Sequence, residues 1–142
     1  MKMVMKIVTM CFMLVLVCFG LTACESEEQK METAQKGYEL YLVEWAASET
    51  KELRKSDENA PEVTVEDLRE DIISCEVRHF DAYSTYYYKL NYRKDGISKT
   101  IYFVYLPIEG VVDQYDSRDY EEVVKQLEKD GKPGLTADIK IK

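Results

Sequence analysis

Few side chains in this sequence could act as nucleophiles, bases or metal ligands. The chain has four cysteines and a single histidine, so a metal site built from several imidazoles is excluded. Cys75 and His79 lie four residues apart in a segment that alternates like a β-strand, which separates them by about 13 Å. They cannot form a thiolate–imidazole pair directly. We therefore expect Cys75 to be a small buried residue, and we predict no catalytic residue and no metal ligand.

Carboxylates are the remaining candidates, because the chain carries 27 acidic residues. Most of them fall on helical patterns, which is typical of a solvated surface. Glu76 and Asp81 could serve a hydrolase as acid and base if they converged in a pocket, but no motif brings them together. The sequence also lacks a glycine-rich phosphate loop, a G-x-S-x-G elbow and an HExxH motif. A carboxylate-based hydrolase is therefore an alternative and not the leading interpretation.

The first residues have the layout of a secretory signal. Lys2 and Lys6 form a short basic region, an apolar run covers 7–19, and Gly20 is followed by small residues. The apolar run is shorter than the ~20 residues that a membrane-spanning helix needs. The pattern therefore predicts a leader that is removed and not a stable membrane span.

Leu21-Thr22-Ala23-Cys24 follows the leader and resembles the lipobox of bacterial lipoproteins, in which an aliphatic residue, a small residue and Gly or Ala precede an invariant cysteine. The resemblance implies that the Cys24 sulfur receives a diacylglycerol and that a peptidase cuts between Ala23 and Cys24. It leaves the new amino terminus of Cys24 open to acylation, and it implies no other cofactor. An ordinary cleaved signal with an incidental cysteine is the alternative.

The resemblance places the protein on the cell membrane, lipid-anchored through Cys24 on the extracytoplasmic face. Loss of Lys2 and Lys6 leaves 17 basic residues against 27 acidic ones, a formal charge of −10. Such a domain repels nucleic acid and anionic lipid, so the covalent lipid is expected to carry the attachment alone. The predicted parts are a signal peptide at 1–23, the lipidated cysteine with a short tether at 24–30, and a single domain at 31–142.

Hydrophobic periodicity predicts three helices in this domain. An apolar stripe predicts a long helix over 28–55, which Gly37 weakens slightly. Thr64 and Asp67 form a capping-box pattern that begins a short helix over 65–71. The apolar stripe of the long helix consists of Met31, Ala34, Tyr38, Tyr41, Leu42, Trp45 and Leu53. The stripe of the last helix consists of Tyr120, Val123, Val124 and Leu127.

Alternating residues predict strands between and after these helices. Ile73, Cys75 and Val77 share one side of the first strand. Asp95-Gly96 is a strong signal for a two-residue hairpin loop. That loop pairs Tyr86 with Tyr105, Tyr88 with Phe103 and Leu90 with Ile101, all on one face. The fold class is α+β: a long N-terminal helix packed on an antiparallel meander, with a second helix and a C-terminal strand, similar in element order to the cystatin-like and NTF2-like architectures by analogy only.

The same register gives the sheet a second face that is half apolar. This candidate binding face consists of Tyr87, Lys89, Tyr102, Val104 and Leu106. If it is uncovered, it favours an unidentified protein or carbohydrate ligand, since exposed aromatic patches mark binding surfaces. The alternative is that a helix or the last strand covers it. We therefore predict a non-enzymatic binding or interaction module, with the hydrolase and a structural envelope spacer as alternatives.

Overall fold

The computed structural model describes residues 25–81 and 83–141. The predicted cleavage and lipidation site at Ala23 and Cys24 therefore lies outside the described residues. Within them, no helix is long and apolar enough to cross a membrane. The helices are α1 (Glu27–Ser56), α2 (Val65–Asp71) and α3 (Ser117–Asp130), and the strands are β1 (Ile72–His79), β2 (Tyr86–Lys94), β3 (Ile97–Leu106), β4 (Val111–Tyr115) and β5 (Leu135–Asp138).

The five strands form one antiparallel sheet in the order β4-β3-β2-β1-β5. Strands β1 to β4 follow the chain as a meander, and β5 returns to pair with the free edge of β1. The three helices and one antiparallel sheet of the described residues confirm the predicted α+β class. The residues from Met31 onward form one compact unit.

Polar residues cap the start of α1. The Gln29 backbone N–H donates to Ser26 Oγ at 3.2 Å, and the Ser26 N–H donates to Gln29 Oε1 at 3.1 Å. This reciprocal pair is a capping box, and the helix begins at Glu27. The prediction of a helix over 28–55 is confirmed within one residue at each end. Part of the segment predicted as a tether at 24–30 is therefore helical, from Glu27 onward.

A second capping box begins α2, as the sequence predicts. The Asp67 N–H donates to Thr64 Oγ1 at 3.2 Å, and the Thr64 N–H donates to Asp67 Oδ2 at 2.9 Å. The hydrogen bond from the Thr64 backbone lowers the pKa of the Asp67 carboxyl below its usual range. The helix covers Val65–Asp71, so the predicted 65–71 is confirmed.

The β2–β3 hairpin has the predicted register. Asp95 and Gly96 have φ values of 53° and 77°, which a type I′ turn requires. The facing pairs are Tyr86 with Tyr105, Tyr88 with Phe103, and Leu90 with Ile101. All six side chains are buried, so the turn chemistry and the hydrophobic pattern agree on one register.

The main core lies between α1 and one face of the sheet. The Phe103 ring stacks on Tyr41 and on Tyr88, with centroids 4.0 Å and 4.4 Å apart. Gly37 faces the sheet where α1 packs tightly against it. A Cβ at Gly37 would meet the Tyr88 hydroxyl and lie 2.5 Å from the Tyr105 ring. The glycine that weakens the helix therefore allows it to pack closely on the sheet.

Strand β1 departs from simple alternation near its start. Its register with β2 shifts between Ile72 and Ser74, so Ile73 is 54% exposed while Ile72 is buried. The prediction that Ile73 shares the buried side is wrong, because a β-bulge puts one residue out of phase with those that follow. Cys75 and Val77 are buried in the core, as the alternation predicts.

Candidate functional site

Helix α3 packs on the face of the sheet that lies opposite α1. Its buried residues recur at i, i+4 and i+7, which gives the helix one apolar side. The resulting second core consists of Tyr120, Val124 and Leu127 from α3 with Phe80, Tyr87 and Val104 beneath it. Tyr87 is 8% exposed and Val104 is 2% exposed. Tyr87 and Val104 are therefore not part of an open face: for these two residues the alternative holds, because the apolar side of α3 covers them.

The other members of the predicted binding face are less covered. Lys89 is exposed, and Tyr102 and Leu106 are half-buried. Lys89 and Tyr102 face each other across β2 and β3, and both line a cleft of about 250 Å³ beside α3. Leu106 is not part of that lining. The predicted surface therefore reduces to a cleft between the sheet and one helix.

Side chains from three strands and one helix line this cleft. The lining residues are Glu76, Arg78, Lys89 and Tyr102 from the sheet, and Tyr120, Glu121, Val124, Lys125 and Glu128 from α3. The helical residues follow the spacing of one helix side. Because most of the lining is charged and two of its residues are tyrosines, the cleft is suited to a polar ligand of small size.

Arg78 connects the two walls of the cleft. Its Nε donates to Glu76 Oε1 and its Nη1 donates to Glu128 Oε1, each at 3.1 Å. Glu76 belongs to β1 and Glu128 to α3, so the guanidinium joins the sheet to the helix. The side chains of Arg78, Glu76 and Glu128 are 35%, 41% and 47% exposed. Ion pairs that are exposed to this extent contribute little to stability. The main consequence is that the guanidinium is held in place.

Three other charged groups in the cleft make no ion pair with the described residues. They are Lys89, Lys125 and Glu121. Lys89 lies opposite Glu76 in the register of β1 and β2, and Lys125 follows Glu121 by one helical turn. Each lysine therefore has an acidic neighbour but no direct contact with it, and both ammonium groups remain available to a ligand.

Two tyrosines form the aromatic part of the cleft. The rings of Tyr102 and Tyr120 are tilted by 39°, with centroids 4.7 Å apart. Burial raises the pKa of the Tyr120 hydroxyl well above its usual range, and the nearby Arg78 opposes this shift. The Tyr120 hydroxyl is therefore protonated at physiological pH and can donate a hydrogen bond.

The two acids considered for hydrolysis do not share a site. Glu76 lines the cleft, whereas Asp81 lies against Gly134, where an added Cβ would meet the Asp81 carboxylate. Within residues 25–81 and 83–141, no group of three or more His, Cys, Asp or Glu side chains is placed to hold a metal ion.

Cys75 and His79 are both packed into the domain. Cys75 is 1% exposed, and burial raises the pKa of its thiol well above the usual range, which disfavours the reactive thiolate. The His79 ring stacks on Tyr86 with centroids 4.1 Å apart, and its Nδ1 lies 3.1 Å from the Thr85 carbonyl oxygen. The burial of Cys75 and the ring stacking of His79 are typical of residues that stabilise the fold.

No family model, curated protein or solved structure matches this chain. The likeness in element order to cystatin-like and NTF2-like proteins therefore remains an analogy. A fold class alone does not define an activity.

Proposed function

We propose that this chain is a membrane-anchored bacterial lipoprotein whose acidic extracytoplasmic domain is a non-enzymatic binding module. The observation that carries the proposal is Leu21-Thr22-Ala23-Cys24 at the end of a signal-like leader. A diacylglycerol on Cys24 would hold the domain firmly, since each buried CH₂ contributes about 0.8 kcal/mol. The partners are the membrane, through that lipid, and a protein or carbohydrate ligand.

The cleft beside α3 is the proposed ligand site. It is concave, and polar groups from the sheet and from α3 converge on it, as they do in small-ligand sites. Its volume of about 250 Å³ is below the ~300–1,000 Å³ of sites for drug-sized molecules. It therefore suits one side chain or one ring of a larger partner.

A carboxylate-based hydrolase is the second candidate, and one observation favours it. Glu76 and Glu128 each lie 3.1 Å from the Arg78 guanidinium. Their carboxylates are therefore within about 9 Å of each other, a separation that glycosidase acid pairs also show. Both carboxylates are engaged by Arg78, however, and proton transfer to a substrate would have to break an ion pair. Glycoside turnover that Glu76→Gln abolishes is the result that would favour the enzyme.

A structural envelope spacer is the third candidate. It predicts a sheet that is covered on both faces and has no concave site. The two core clusters do cover both faces of the sheet, but a spacer gives no reason for the cleft. We therefore favour the binding module.

Membrane fractionation of the full chain tests the anchoring. We expect wild-type protein in the membrane fraction, and we expect Cys24→Ala to be released or left unprocessed. Cys18→Ala is the matched control, because Cys18 lies in the apolar run that is removed with the leader. Unchanged lipid labelling of Cys24→Ala would overturn the proposed anchor.

A further inference from the structure

The guanidinium of Arg78 is held in place with one nitrogen left open. Its Nε and Nη1 bond to Glu76 and Glu128, and its Nη2 has no partner among the described residues. A donor that is fixed by its neighbours binds an incoming group without a further ordering cost. Nη2 is thus a preorganised donor for an oxygen acceptor.

Two more cations reach the cleft from different elements. Lys89 comes from β2 and Lys125 from α3, and both side chains are exposed. The lining thus holds three cations, Arg78, Lys89 and Lys125, against three acids, Glu76, Glu121 and Glu128. Because there is no surplus of positive charge, the cleft favours a ligand group with a single negative charge over a doubly charged one.

We infer that the cleft binds one carboxylate carried by a peptide or protein partner, with Arg78, Lys89 and Lys125 as its contacts. This inference rests on the proposed binding function and names its ligand class. A phosphate is disfavoured because its second charge would face Glu121 and the two glutamates around Arg78.

A sugar ring is also disfavoured as the bound group. Stacking on a sugar requires an open aromatic face, but Tyr120 is only 7% exposed and its ring contacts that of Tyr102. The Tyr120 hydroxyl serves better as a hydrogen-bond donor. An acidic side chain or a chain terminus fits the small volume of the cleft, and the rest of the partner can lie outside it.

An NMR titration of the ¹⁵N-labelled full chain in detergent micelles tests the inference. The probes are the N-acetylated tripeptide amide Gly-Glu-Gly, its Gln analogue, its phosphoserine analogue, the Gln peptide with a free carboxyl terminus, and glucuronate. We expect the Glu peptide or the free-terminus peptide to shift amides along the cleft with a Kd on the order of 1 mM, and the uncharged Gln amide to have no effect. The two carboxylate peptides distinguish a side chain from a terminus as the source.

Charge-neutral variants connect the binding to the cleft. Lys89→Gln and Lys125→Gln should each weaken the affinity about five- to tenfold. Lys99→Gln and Lys129→Gln are the matched controls, since both lysines are exposed and neither lines the cleft. The controls should change the affinity less than about twofold.

Several results would overturn the inference of a carboxylate on a peptide or protein. These are equal shifts with the Gln amide, tighter binding of phosphoserine or glucuronate at the same amides, equal effects of the cleft and control variants, and no shift with any probe. Each is distinct from failure of the proposed anchor, which is read from the membrane fraction and the lipid label of Cys24→Ala.

Discussion

Replacing Gly37 by alanine should destabilise the domain, although alanine is the better helix former. Helix propensity alone predicts a gain of about 1 kcal/mol. In the structure, the added Cβ would lie 2.5 Å from the Tyr105 ring and would displace the Tyr88 hydroxyl. Overpacking costs about 1–3 kcal/mol. Loss of the buried 2.6 Å hydrogen bond from Tyr88 to the Ala34 carbonyl adds about 1–3 kcal/mol. We expect a net loss of about 2 kcal/mol, because these effects overlap.

Urea denaturation of the wild-type and variant chains measures this change in the free energy of unfolding. Gly131→Ala is the matched control, because nothing lies within 4 Å of a Cβ at Gly131 and its φ of 165° is extended backbone. The control should remain within about 0.5 kcal/mol of wild type. A Gly37→Ala variant that is more stable than wild type would refute the close packing of α1 on the sheet.

Three further predictions concern the covering helix, the bulge and a cap. Tyr120→Ala should lower the free energy of unfolding, measured by urea denaturation, by about 3–5 kcal/mol, because the Tyr120 side chain packs α3 against Tyr87. A loss below about 1 kcal/mol would contradict that role. For Ile73→Thr, the free energy of unfolding should stay within about 0.5 kcal/mol of wild type, since the bulge leaves Ile73 exposed. A loss as large as that of a buried core residue would show instead that Ile73 is inside the core. The lowered pKa of Asp67 stabilises the fold above the unfolded value of 3.8, and this contribution is lost as the pH falls through the folded pKa. Asp67→Asn should therefore lose less stability than wild type between about pH 5 and pH 2, and identical pH profiles would count against the capping box.

The parts of the fold that follow from local chemistry could be predicted from the sequence. Asp95-Gly96 selects the turn and the alternation of tyrosines selects the face, so the hairpin register follows from neighbouring residues. Thr64 and Asp67 identify the start of α2 for the same reason. The bulge at Ile73 could not be predicted, because nothing in the alternation of β1 indicates one extra residue.

The cleft depends on long-range packing and was not predicted as a site. The stripe of α3 indicates an apolar side, but not which face of the sheet it covers. Arg78 and Glu128 meet across 50 residues of sequence, and no local pattern joins them. The sequence does hold one indication of the cleft. Glu121, Lys125 and Glu128 recur at the spacing of one helix side, next to the apolar stripe of α3.

Mass spectrometry of the amino terminus of the protein, expressed in a bacterium and purified from the membrane fraction, tests the central claim most directly. We predict a chain that begins at Cys24 and carries a diacylglycerol on its sulfur. Cleavage at any other bond, or an unmodified Cys24 at the amino terminus, would contradict the lipid-anchored binding module.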